Sequence, residues 1–428
     1  MISAKLKAVA TSNFAPFANT INFTTQIDKN KREYITNTFV AGDDSLNKVS
    51  FVFGANGSGK TFFCKIIKEI QRLLLWSPLT LGSGSQLLQL PMFKGIDASI
   101  QKFLFDTAYV ETPTTFSIDI VLDKTTYHYE FSIQGYKVLH ELLTKKYRRT
   151  EILLERTSPN HKDILLKSEL KNFESHKHTV KEEALCLAIA HTLNNPMAVN
   201  IVDAINNINV LNMVYPYMKA PDHRISFSEE RVAKYAKVLA KATPMLRGIA
   251  IAVSEEDFNQ PLELGDFENR EVMMTKTTLS INSEYTRYNN GQEESFQALN
   301  FFRDESLGTV KLFTMLPYLY DTLENGGVLI LDEIENGLHL SLAKDVVKLF
   351  LDEESNPNNA QLICTTHQPL LIDTNTRRDQ VWVISKDSIG KSSLNRLSEL
   401  STSRSKVNLT NKILENAFGC NPEPFFRN

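Results

Sequence analysis

The chain has 428 residues, of which 42% are hydrophobic and 23% charged, with a formal net charge of −3. This is ordinary globular composition, long enough for two or three structural units or for one large domain with insertions. It excludes a globally basic nucleic-acid binder, and the lack of any run of about 18 apolar residues removes the expectation of a transmembrane helix. The opening MISAKLKAVATSNF has no apolar stretch of signal-peptide length. Cys64, Cys186, Cys364 and Cys420 form no CxxC pair, so neither a zinc site nor a disulfide framework is expected, and the cytoplasm is the expected compartment.

In chain order, the first informative stretch is FVFGANGSGKTFFCKII at 51–67. It reads as a buried parallel strand ending at Val52 and Phe53, then a loop, then a helix. Gly54 to Thr61 matches GxxxxGK[ST], the phosphate-binding loop, with Asn56, Gly57, Ser58 and Gly59 inside it. Glycines let successive backbone N–H groups turn inward around an anion. Lys60 is expected to reach the β- and γ-phosphates, and the Thr61 hydroxyl to ligate Mg²⁺. Ile66, Ile67, Ile70, Leu73 and Leu74 recur at helical spacing, so one helix face should pack on a sheet.

The next part of the chain changes period. TTFSIDIVLDKTTYHYEFSIQG at 114–135 alternates apolar and polar residues and predicts an antiparallel hairpin, with further strands over 141–168. KKYRR at 145–149 is the strongest basic cluster. It fits a nucleic-acid backbone contact or, equally in kind, the solvated edge of a strand. Residues 178–245 read as helical, with Leu185, Ile189, Leu193, Val202, Ile205, Ile208, Val210 and Leu211 in periodic patches. Residues 227–249 read as one amphipathic helix, and 275–290 as strands with an NNGQ turn. No sustained heptads occur, which excludes a long coiled coil.

Three further stretches carry chemistry. RDESLGTVKLFTMLPYL at 303–319 opens a helix on Ser306, Gly308 and Thr309. Its start could offer N–H groups to an anion, or Ser306 could simply cap it. GGVLILDEIENGLH at 326–339 reads as a buried strand over Val328 to Leu331 that delivers Asp332 and Glu333 at its C-terminal end. Ligands of α/β sheets bind at that end. Asp332 is placed to hold Mg²⁺ and Glu333 to polarise an attacking water, hence ATP hydrolysis. QLICTTHQPLLID at 361–373 reads as another apolar strand, Leu362 to Cys364, ending in Thr365, Thr366 and His367. If that strand lies beside the Asp332 strand, His367 points at the γ-phosphate. Glu333, His367 and Lys60 are thus the expected catalytic set.

The order phosphate loop, long insert, ESLGT, LILDE, TTH resembles the ABC-type AAA ATPase heads of the SMC, RecF and OLD group. Within it, the opening SNFAPFANTINF and the run ESLGT…LDEIENGLH…TTHQPLLID…RRDQVWV are most similar to compact ATPases of phage-defence and abortive-infection systems, AbiLi-like and AriA-like (PARIS). The resemblance implies an α/β fold: an ABC-type head with a mixed or parallel phosphate-loop sheet, an antiparallel β lobe and a helical insertion. It implies that ESLGT is the signature motif, with Ser306, Gly308 and Thr309 contacting a nucleotide held by a second subunit. It makes Glu335 to His339 the loop that crosses the dimer interface, although His339 is as readily a plain surface histidine. It further implies ATP and Mg²⁺ as cofactors, a self-dimer around ATP, and a separately encoded effector, often Toprim-like, as partner. Gln86 and Gln89 are weak candidates for a Q-loop. The expected organisation is an N-terminal lobe at 1–175, a helical insertion at 176–250 and a C-terminal lobe at 251–428. The tail after residue 400 contains no metal-site pattern of a nuclease. The rival readings are a RecF-type ATPase that clamps DNA, and a non-hydrolysing scaffold.

Overall fold

The computed structural model describes residues 3–28, 33–80, 100–212, 229–243, 245–262, 270–372 and 375–400. Gln86, Gln89 and the tail from 401 lie outside the described residues. The chain divides into two compact units, Met1–Val214 with Asp321–Asn428, and Tyr215–Tyr320.

In the first unit the strands are β1 (Lys5–Ser12), β2 (Ile21–Thr24), β3 (Thr38–Ala41), β4 (Asp44–Asn47) and β5 (Val49–Gly54), which leads into helix α1 (Lys60–Thr80). There follow β6 (Thr114–Leu122), β7 (Thr125–Gln134), β8 (Lys137–Lys146), β9 (Thr150–Arg156) and β10 (Ile164–Leu166). Helices α2 (Cys186–Thr192) and α3 (Pro196–Asn206) precede β11 (Asn209–Asn212). The second unit holds α4 (Glu229–Ala242), β12 (Leu246–Leu262), β13 (Arg270–Asn289), β14 (Gln292–Asn300), α5 (Phe301–Asp304) and the start of α6 (Leu307–Asn325). The first unit then resumes with β15 (Val328–Asp332), α7 (Leu340–Leu351), β16 (Gln361–Thr366), β17 (Val381–Lys386) and β18 (Ser392–Arg396).

Two sheets carry the first unit. One is antiparallel, in the order β10-β9-β8-β7-β6-β1-β2. The alternation at 114–135 produces its β6–β7 hairpin as expected, because over most of each strand buried residues alternate with half-buried ones. The other sheet runs β11-β15-β16-β5-β17-β18 and is parallel up to β17. Every residue of β5, β15 and β16 is buried, which is why these strands read as unbroken apolar runs. The fold is α/β, with the parallel phosphate-loop sheet and the antiparallel lobe both present. Ile66, Ile67, Ile70, Leu73 and Leu74 of α1 join one core with residues of both sheets. Buried Gln361 ties the sheets together: its Oε1 accepts from the Leu6 N–H at 2.7 Å and its Nε2 donates to the Leu6 carbonyl at 3.1 Å.

The stretch read as helical departs from that reading in two places. Val210 and Leu211 belong to β11, which pairs in parallel with β15, Val210 opposite Ile330. Two apolar residues between asparagines do not distinguish helix from strand, and the open edge of the sheet decides it. The helix expected over 227–249 is α4, ending at Ala242, with β12 beginning at Leu246. Pro244 follows in the sequence, and the residue before a proline is driven out of the helical region. Residues 176–214 fall with the phosphate-loop unit, and the chain divides at Val214/Tyr215 and Tyr320/Asp321. A buried polar hub holds them there. Glu141 of β8 accepts from the Tyr129 hydroxyl at 2.9 Å and from the N–H groups of Cys186 and Leu187, at 2.7 and 2.9 Å, at the start of α2. Fully buried Arg156 of β9 donates to the Ala184 carbonyl at 2.8 Å.

Candidate functional site

Strand β16 lies between β5 and β15, parallel to both, with Cys364 opposite Phe51 on one side and Leu331 on the other. The C-terminal ends of three strands therefore meet at one place. From β5 comes the loop Gly54–Lys60, from β15 the carboxylates of Asp332 and Glu333, from β16 Thr365 and His367.

The loop is held in shape from several directions. Gly57 and Gly59 have φ of 76° and 118°, the second a conformation that any side chain would strain. A Cβ on Gly54 would sit 2.4 Å from the Ser58 hydroxyl and 2.9 Å from the Ile384 carbonyl oxygen of β17, so glycine here answers to close approach and not to φ. The Ser392 hydroxyl donates to the Ser58 carbonyl at 2.5 Å, and the Lys386 ammonium to the Gly57 carbonyl at 3.1 Å. Lys60 is 4% exposed and donates to the carbonyls of Gly54 and Ala55 at 2.8 and 3.0 Å. Burial lowers its pKa, against the opposing pull of Glu333, Glu335 and Asp332. Asn56 is exposed and Thr61 half-buried.

Asp332 is 1% exposed. Its Oδ1 accepts from the Thr365 hydroxyl at 2.7 Å, while its Oδ2 has no hydrogen-bond partner among the described residues. Burial raises its pKa above 3.8 and the Glu333 charge adds to the rise. The hydroxyls of Thr365 and Thr61 and the charge of Lys60 oppose it. The Thr61 hydroxyl is thus close enough to act on the Asp332 carboxylate. A buried orphan carboxylate oxygen beside a threonine hydroxyl is a pair of hard oxygen donors, which fits Mg²⁺.

Glu333 has φ of 54°, in the left-handed region that glutamate rarely visits. Such a residue costs on the order of 1–3 kcal/mol and persists only when its surroundings hold it. Here the Thr365 hydroxyl accepts from the Glu333 N–H at 2.8 Å, and the Asn336 amide donates to the Glu333 carboxylate at 3.0 Å. Thr365 thus serves both carboxylate positions through one hydroxyl. Sequence reasoning placed Thr365 at a strand end, and Glu335 and Asn336 in the segment 335–339, but assigned none of the three these contacts. The Glu335 Oε1 accepts from the His367 N–H at 2.8 Å and lies 3.1 Å from His367 Nδ1. The signal was register: with Leu331 opposite Cys364, the residues after Asp332 must lie beside those after Thr365.

Ser306, Gly308 and Thr309 belong to the second unit. The Ser306 hydroxyl accepts from the Thr309 N–H at 3.2 Å and lies 2.8 Å from the Thr309 hydroxyl, an N-cap for α6. His339 is exposed and caps α7, with Nδ1 accepting from the Ser341 N–H at 3.3 Å. In KKYRR, Lys145 is engaged by Glu169 at 2.6 Å and Glu151 at 3.2 Å. Tyr147 is exposed, with Arg148 over its ring at 5.7 Å. Among the described residues no helix is long and apolar enough to cross a membrane.

A comparison with curated proteins gives no match. Among solved structures the chain is similar to an SMC head domain from Thermotoga maritima, at 11% identity over 92% of this chain and 98% of that one. The TM-score is 0.36. The family model described as "AAA domain, putative AbiEii toxin, Type IV TA system" matches residues 49–373, which run from the first residue of β5 past His367. With the phosphate loop, Asp332, Glu333 and His367 all inside the matched region, the chain belongs to this AAA family, AAA_21.

Proposed function

We propose that the chain is an ATPase with one ABC-type head. Two heads close on two ATP molecules, and this cycle controls a separately encoded effector in bacterial defence against phage. One observation carries the ATPase reading. The parallel order β15-β16-β5 brings Lys60, Asp332 and Glu333 to one place, where Asp332 keeps a buried oxygen without a partner and Glu333 is held at a strained φ. An unmet acceptor and a strained backbone at an acidic residue are features that a fold retains for chemistry and not for stability.

Each residue then has a task. The loop N–H groups and Lys60 bind the phosphates. Thr61 and Asp332 would hold Mg²⁺, whose charge would offset that of the phosphates. Glu333, oriented by Asn336, takes the proton of the attacking water. His367 meets the terminal phosphate, and Ser306, Gly308 and Thr309 close the site of the opposite subunit. The intact Glu333 argues against a non-hydrolysing scaffold. The family description, with its toxin of a type IV toxin–antitoxin system, supports the defence setting, as does the resemblance to AbiLi-like and AriA-like ATPases. A DNA-clamping role rests on the basic turn at Lys146–Arg149.

Glu333→Gln tests the reading. The amide keeps the shape and loses the base, so ATP should still bind while turnover falls by roughly 10² or more. ATP-bound dimers should then accumulate as a larger species in size-exclusion chromatography. Turnover at the wild-type rate would remove Glu333 from the mechanism.

A further inference from the structure

We infer that Glu335 is a positioning residue for His367: it occupies Nδ1 and leaves Nε2 as the nitrogen that meets the ligand. The inference deepens the proposed ATPase reading and rests on it for its kinetic arm alone.

The two side chains differ in how firmly they are held. The Glu335 side chain is 11% exposed and that of His367 49%. The carboxylate is therefore the fixed member and the imidazole the adjustable one. A single oxygen, Oε1, faces both the His367 backbone N–H, at 2.8 Å, and its Nδ1, at 3.1 Å. Contact through the backbone sets where the residue sits, and contact through the ring sets how the ring turns. Local structure reinforces this. The Ile334 N–H donates to the Thr365 carbonyl at 3.2 Å, so the turn after β15 is stitched to the end of β16 just before the pair. A free neutral histidine in water favours the proton on Nε2. A carboxylate 3.1 Å from Nδ1 favours the other tautomer, because it attracts a proton on Nδ1 and repels a lone pair there. Such an outer partner fixes both ring orientation and tautomer, and its loss typically costs 10- to 100-fold in function where a histidine works at a site. The arrangement also joins Glu335, in the segment expected to cross the dimer interface, to the residue expected to meet the terminal phosphate.

Two measurements test this. The first is the ¹⁵N spectrum of histidine-labelled, nucleotide-free protein above the histidine titration range, with His367 assigned by its loss in His367→Ala. The wild type and Glu335→Gln, which keeps an acceptor oxygen, should show Nδ1–H. Glu335→Ala should revert to Nε2–H. If Glu335→Ala fails to fold, Glu335→Asp, whose carboxylate is one methylene short of the ring, should show the same reversion. The second measurement is steady-state ATP hydrolysis. Glu335→Ala should lower kcat by roughly 10-fold or more with KM for ATP within about twofold, Glu335→Gln should recover most of the loss, and Glu335→Ala added to His367→Ala should cost nothing further. Nδ1–H persisting in Glu335→Ala, or its full loss adding to that of His367→Ala, would overturn the inference. Should His367→Ala alone turn over at the wild-type rate, the phosphate role of His367 fails, and the spectrum still decides the role of Glu335.

Discussion

Asp332 shows how a single residue can be set against the stability of its own fold. Its carboxylate is buried, half satisfied by Thr365, and raised in pKa by that burial. An acid whose folded pKa lies above its unfolded value binds its proton more tightly when folded. Its ionisation therefore opposes folding in full above the folded pKa, and the penalty is relieved as pH falls through it. Asp332→Asn removes the charge and keeps an oxygen for the Thr365 hydroxyl. In the nucleotide-free protein it should raise stability at pH 7–8 by on the order of 1 kcal/mol, about 2 °C in Tm. The gain should shrink toward acid pH, while turnover is lost. Differential scanning fluorimetry at several pH values checks this, and a variant melting well below wild type at pH 8 would contradict it.

At the scale of elements, the phosphate loop is shaped by what stands behind it. Gly54 ends β5 against Ile384 of the neighbouring strand β17, and a Cβ would meet that backbone oxygen at 2.9 Å. A strand carbonyl cannot swing away as a side-chain end can, so the loop must yield. Gly54→Ala should therefore cost about 1–3 kcal/mol by overpacking and weaken ATP binding, with the far-UV circular dichroism unchanged. Gly54→Ala/Ser58→Ala relieves only the contact with the Ser58 hydroxyl and should not restore binding. Near-native ATP affinity in the double variant, measured by titration calorimetry, would show that the β17 contact is unimportant.

For the whole molecule the question is whether ESLGT serves its own chain or another. The Ser306 cap on α6 is what any helix start requires, so geometry within one chain is compatible with either. Complementation separates them. Lys60→Ala removes the phosphate charge, and Ser306→Arg fills the helix start with bulk. Each homodimer should be inactive, because every site in it carries a lesion. After subunit exchange the mixed dimer pairs one intact loop with one intact ESLGT, and measurable ATPase activity should return. Strong activity in the Ser306→Arg homodimer would leave ESLGT as a cap only.

Local sequence alone determined the parts of this protein that depend on period and on short motifs. The β6–β7 hairpin follows from alternation, the buried strands β5, β15 and β16 from unbroken apolar runs, and the loop at Gly54–Thr61 from glycines at fixed spacing. These features are legible because each is satisfied within a few residues of itself. Tertiary structure decided what needs a neighbour far along the chain. Val210 and Leu211 became a strand because β15 offered an open edge. Residues 176–214 joined the first unit because Glu141 and Arg156 hold α2 from the opposite lobe. Thr365 and Glu335 made their contacts with Asp332, Glu333 and His367 only when the register of β15 and β16 set them side by side. A hydrogen bond between residues some thirty positions apart leaves no period in either segment, and pairing of the strands is what creates it.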